Sequence, residues 1–197
     1  MTKADLCPAA SGASELPWRR WFAAVAEEWR LLPPAEKLWI EERLARIQRL
    51  QTLLQQLADR AQASALCAAC GGYCCDQARH HFTLVNLLGH VQQGLPVPEP
   101  DFSRSCPFMT SNGCPFSPGL RPLICVVFLC DAIERRFTQV QRRRFQRLEA
   151  ALRHHYLAFC QRYQGASLQG LWLRAETLQG HGFLARRYQA STSCGEL

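Results

Sequence analysis

Four cysteines stand within nine residues in the stretch CAACGGYCC, at Cys67, Cys70, Cys74 and Cys75, and four more follow at Cys106, Cys114, Cys125 and Cys130. Thiolates this close together, with Gly71 and Gly72 at the bend, suit a metal centre. Such ligands must converge to about 2.3 Å from one ion, and a backbone free of Cβ crowding folds round it most readily. The adjacent pair Cys74 and Cys75 also disfavours a disulfide between them, because neighbouring side chains diverge. Eight thiols suffice for two four-thiolate sites. Tetrahedral zinc and iron–sulfur clusters both accept all-cysteine ligation, so the expected cofactor is zinc or iron, as a single ion or as an iron–sulfur cluster. His80 and His81 follow the cluster closely, and either ring could replace a thiol or form a solvated pair at a loop-to-helix junction. Asp76, directly after the vicinal thiols, reads as a turn or cap carboxylate, with a ligand or general-base role as the alternative. Cys7, Cys160 and Cys194 are isolated and read as small buried apolar residues.

Size does not account for so many thiols. A chain of 197 residues can bury a core without covalent staples. The 11 cysteines are an odd number, and the first residues, MTKADLCPAASGASELP, contain no apolar run resembling a signal-peptide core. An exported disulfide scaffold is therefore not expected. No stretch approaches 18 uninterrupted apolar residues, which argues against a transmembrane helix and a membrane partner. With 48% apolar and 20% charged residues the chain is not of disordered composition. The expectation is a soluble cytoplasmic protein that keeps its thiols reduced.

The elements that must hold the cysteines are helical. Trp18, Phe22, Val25 and Trp29 recur at helical spacing before Pro33 and Pro34, which stop the segment. From Ala35 to about Ser64 there is no Gly or Pro, and Ile40, Leu44, Ile47, Leu54 and Ala61 form one seam widened by Leu50 and Leu57. This predicts a long helix suited to antiparallel packing against another. A helix is predicted over Thr83–Gln93 with Thr83 as its N-cap. The stretch Gly94–Gly119, with six prolines, reads as an irregular loop that needs some constraint to hold it. A second long helix is predicted over Ala132–Gln164, with Ile133, Phe137, Val140, Leu148, Leu152 and Phe159 inside and Gly165 as a left-handed cap. Leu168–Tyr188 is a weaker helical pattern.

The fold class expected is all-α, with long antiparallel helices around an irregular cysteine-rich metal-binding subdomain. Its parts are a flexible tail over 1–16, a helical hairpin over 17–65, the cysteine-rich region over 66–131, helices over 132–190 that pack on the N-terminal ones, and a tail over 191–197.

Charge is concentrated in one place. Between Glu134 and Gln164 lie eight Arg and two Glu, which supply +6 of the formal +7. Arg135, Arg136, Arg142, Arg143, Arg144 and Arg147 could neutralise phosphates of a nucleic acid or meet an acidic protein, or form an ordinary solvated face. The chain has no dinucleotide-binding glycine motif, no P-loop, no nucleophile elbow and no H-E-x-x-H, so the reading leans away from an enzyme.

The order and spacing of CxxCGGxCC, Cys106, Gly113-Cys114 and the run Arg121-Pro122-x-x-Cys125-x-x-Phe128-x-Cys130 resemble the YkgJ-like family of bacterial cysteine-cluster proteins, over roughly Leu66–Cys130. The resemblance implies binding of zinc or iron, with an iron–sulfur cluster included, through Cys67, Cys70, Cys74, Cys75, Cys106, Cys114, Cys125 and Cys130. The chain departs from the family pattern at Val126, where an Arg is usual, and at Pro115-Phe116. Arg121 reads either as a surface residue before a helix or as a donor of hydrogen bonds to sulfur that offsets thiolate charge. The functions this supports are a structural or carrier metal protein, or an iron–sulfur redox or modifying enzyme.

Overall fold

The computed structural model describes residues 15–69, 80–104, 106–110, 114–178 and 180–187. These form eight α-helices: α1 (Glu15–Leu31), α2 (Pro34–Arg60), α3 (Ala63–Ala69), α4 (Leu84–Gln93), α5 (Leu123–Val127), α6 (Asp131–Glu134), α7 (Gln139–Arg162) and α8 (Leu171–Glu176). Among the described residues there is no strand, only an isolated antiparallel bridge between Tyr163 and Arg186. The chain is mainly helical, in keeping with the all-α expectation.

The frame is the pair α2 and α7. Pro34 occupies the first turn of α2, where its missing N–H costs nothing. From there Ile40, Leu44, Ile47, Leu54 and Leu57 are buried, on the expected seam. The two helices run antiparallel: Glu36 pairs with Arg162, Arg43 with His155, and Gln62, just beyond α2, with Arg136. On α7 the buried residues are Phe145, Leu152, Tyr156 and Phe159. The hairpin expected over 17–65 is not how α1 is used. Its main helix partner is α4, and it does not fold back along α2. The tails expected over 1–16 and 191–197 fall outside the described residues, except that Glu15 and Leu16 begin α1.

Two long helices are broken. The one expected to run to Ser64 stops at Arg60, because Gln62 takes a left-handed conformation with φ +61°. Hydrogen bonds from Ser64 Oγ to Asp59 Oδ1 and from Arg136 to Gln62 Oε1 hold that bend, after which α3 carries the chain into the cysteine cluster. The helix expected over Ala132–Gln164 is split into α6 and α7. Thr138 and Gln141 form a reciprocal capping box that starts a new helix at Gln139. Val140 is therefore in a first turn that faces solvent, not on the inner face, and is 76% exposed. Gly165 is not a left-handed cap either. Tyr163 ends α7 in an extended conformation, and Gly165 is small because a Cβ there would stand 2.7 Å from the Phe183 carbonyl oxygen. Of the weak pattern over Leu168–Tyr188, only α8 is helical among the described residues.

The loop over 94–119 is anchored by aromatic packing. Phe108 and Phe116 lie 5.1 Å apart, centroid to centroid, and both meet Phe82, while Phe108 also meets Trp18 of α1. Such pairs add to simple area burial.

Glu36 closes the far end of the frame. Its carboxylate is buried, takes both nitrogens of the Arg162 fork at 2.7 Å, and accepts hydrogen bonds from the Tyr163 hydroxyl and Arg186. Its hydrogen bond to Arg162, against the opposing effect of burial, lowers its pKa from 4.5 to about 2. A carboxyl held low stabilises the fold above its unfolded pKa, and the effect is lost as pH falls through the folded value, for about 3 kcal/mol in all. Urea unfolding followed by circular dichroism should show the protein losing this stability between about pH 4.5 and pH 2. Glu36→Gln should lack it at neutral pH and show a correspondingly flatter acid limb.

Candidate metal centre

Two of the described cysteines, Cys125 and Cys130, sit on the segment that follows the loop. Pro122 precedes α5, which carries Cys125, and Cys130 is the N-cap of α6. Cys125 is exposed, and its sulfur lies 3.6 Å from Nδ1 of the half-buried His81. Two ligands of one tetrahedral ion, a thiolate at about 2.3 Å and an imidazole nitrogen at about 2.0 Å, stand about 3.6 Å apart. Burial first, and His80 second, keep the His81 pKa below its ordinary value, favouring the neutral ring whose lone pair a metal uses. Nδ1 of His80 is buried with no hydrogen-bond partner among the described residues.

The two flanks of CAACGGYCC meet neighbouring parts of the Cys125–Cys130 segment. α3, which contains Cys67, packs against α6, next to Cys130. The chain re-enters the described residues at His80 and His81, beside Cys125. The Cys67 side chain and Cys70, Cys74 and Cys75 lie outside the described residues, and so does Asp76. Among the described residues no three His, Cys, Asp or Glu side chains come together as a ligand group.

Cys106 and Cys114 flank the aromatic anchor Phe108. Burial raises the Cys106 thiol pKa, the nearby Cys114 thiol acts in the same direction, and the backbone amides of Phe108 and Met109 oppose them. Amides directed at a sulfur favour its thiolate form. Cys160 is half-buried against the core, as expected for a packing thiol, and burial raises its pKa. Cys7 and Cys194 lie outside the described residues.

Arg121 acts through its backbone. Its carbonyl accepts hydrogen bonds from Gln51 Nε2 at 2.6 Å and Asn86 Nδ2 at 3.0 Å, and Asn86 also reaches the Leu120 carbonyl. The guanidinium donates to Gln55 Oε1 and the Phe116 carbonyl, so its hydrogen bonds among the described residues go to oxygen and not to sulfur. Gln51 and Asn86 were absent from the expected site. A glutamine at a seam position of α2, one turn from both Ile47 and Leu54, is the signal that could have found the first of them.

Nothing among known protein families, curated proteins or solved structures matches the chain. The metal expectation therefore stands on these residues alone. The basic face is smaller than its composition suggests. Arg135 faces Asp131, Arg142 pairs with Glu134, and Arg136 holds Gln62. Arg143, Arg144 and Arg147 are exposed and form no ion pair among the described residues. Among the described residues no helix is long and apolar enough to cross a membrane.

One glycine sets the position of the two histidines. A Cβ on Gly170 would stand 2.2 Å from the His80 carbonyl oxygen, and the next residue, Leu171, donates its N–H to the Phe82 carbonyl. Gly170→Ala should destabilise the protein by about 1–3 kcal/mol in urea unfolding, the usual cost of forced overpacking. It should also shift the His81 ring signals in proton NMR, since the His80–Phe82 segment must move away.

Proposed function

We propose that the protein holds zinc or iron, as a single ion or an iron–sulfur cluster, through Cys67, Cys70, Cys74, Cys75, Cys106, Cys114, Cys125 and Cys130, with His81 as an additional nitrogen ligand. The observation that carries the reading is the 3.6 Å separation of Cys125 Sγ and His81 Nδ1, the edge expected of a tetrahedral site, with α3, which bears Cys67, packed on α6 just after Cys130. The donor set fits either metal, because both accept thiolate and imidazole. Such thiols stay available in a reducing compartment, which is the reason to place the protein in the cytoplasm. The role proposed is a metal carrier or metal-stabilised scaffold, with an iron–sulfur redox protein as the alternative that the metal's identity decides.

Anaerobic purification followed by elemental analysis and visible spectroscopy tests this. Stoichiometric zinc in a colourless protein assigns the carrier or scaffold role, and iron with charge-transfer absorption assigns the cluster. Cys125→Ala should lower the bound metal, and Cys160→Ala should leave it unchanged. Metal-free wild-type protein with its thiols reduced would falsify the assignment.

A further inference from the structure

A second set of nitrogen donors lies on the α2–α7 seam. Arg43 stands 18 residues before Ala61, the C-cap of α2, which is about 27 Å along the helix from the end where α3 leads into the cysteines. Its Nη1 meets His155 Nδ1 at 3.3 Å, and its guanidinium carbon lies 4.5 Å from the centroid of the Trp39 ring. The His154 ring is 5.6 Å from that of His155. Arg46, almost one turn further along α2, is exposed.

Charge at this place is not balanced. Arg162 approaches the same Trp39 ring at 4.3 Å, but its charge is met by Glu36. Neither Arg43 nor Arg46 forms an ion pair among the described residues; Glu42 acts on Arg43 at longer range, while Arg46 and Arg162 oppose it. Arg43 Nε is buried and has no acceptor there. A buried donor without an acceptor on a cation is costly, and an anion that meets the outer edge of the same guanidinium offsets that cost through its charge. The guanidinium lies over the Trp39 ring with Nη1 on His155 Nδ1, and Nη2, which has no partner among the described residues, is left for a ligand oxygen. Two guanidiniums match a dianion in charge, and a tetrahedral oxyanion has enough lone pairs for both forks and for an imidazole N–H.

We infer that Arg43, Arg46, His154 and His155 form a binding site for a phosphate group. The site is independent of the cysteines and of the metal reading. It also differs from the exposed arginines of α7, because one of its guanidiniums is half-buried and held by an aromatic ring.

The test uses the full chain titrated with inorganic phosphate at constant ionic strength, with sodium chloride as the matched control. Melting temperature and the His155 ring signals are followed together. Phosphate should raise the melting temperature saturably, beyond the chloride control, and move the His155 signals. Arg46→Gln, an exposed substitution that leaves the Trp39 packing intact, should weaken the apparent affinity about tenfold, the scale of one charge-assisted contact. Equal effects of phosphate and chloride, or an unchanged affinity in Arg46→Gln, would overturn the inference. A short single-stranded oligonucleotide that displaces phosphate identifies a nucleic-acid backbone as the natural source. Failure to displace it identifies free phosphate or a small phosphomonoester, and the site stands in either case.

Discussion

The carbonyl oxygen of Arg121 is gripped by two buried amides, Gln51 from the long helix α2 and Asn86 from α4, and the placement of the cysteine-bearing segment depends on that grip. A carbonyl in a loop that crosses the core must be satisfied there, since burying it unpaired costs as much as losing a hydrogen bond outright. Gln51 also reaches the hydroxyl of Tyr156, a fully buried residue of α7 whose pKa burial drives upward, so one polar cluster joins two long helices, α4 and the loop. From Arg121 the chain passes through Pro122 directly into α5 and on to Cys125 and Cys130. Those two thiols are thus referenced to the helical frame at one point, only four residues upstream of the first.

The frame that carries this point is closed at its other end by Glu36. A buried carboxylate with two arginines and a tyrosine around it ties the start of α2 to the end of α7 and to the C-terminal segment. Glu28 of α1 does similar work nearby, accepting the backbone N–H groups of Phe183 and Leu184. A buried carboxylate such as Glu36 specifies how segments meet, and removing one of its partners is destabilising. The aromatic set of Trp18, Phe82, Phe108 and Phe116 supplies the remaining constraint, since it brings the proline-rich loop back to α1 and α4. That loop has its own anchors in the core, so its order does not have to come from a metal.

What could be read from residues alone was what periodicity and proline control. The α2 seam, the stop at Pro33 and Pro34, and the start of α4 at Thr83 all follow from local rules that tertiary contacts did not override. The misses have equally local causes. Thr138 and Gln141 satisfy the capping-box pattern, yet the continuous apolar spacing through them predicts one helix with Val140 inside, which the cap overrides. The bend at Gln62 depends on Arg136, a partner 74 residues away, so no local pattern announces it. The placement of His81 beside Cys125 is of the same kind: it needs the close approach of Gly170 to His80, a contact between segments about 90 residues apart. Gln51 was legible in principle, as a polar residue on an otherwise apolar stripe.

In the proposed centre His81 and Cys125 are ligands of one ion together with other cysteine thiolates. X-ray absorption at the edge of the bound metal reads this directly. The spectrum should show a dominant sulfur shell at about 2.3 Å with a nitrogen contribution at about 2.0 Å that disappears when His81 is replaced by alanine. A metal surrounded only by oxygen and nitrogen, or a spectrum unchanged by that replacement, would contradict it.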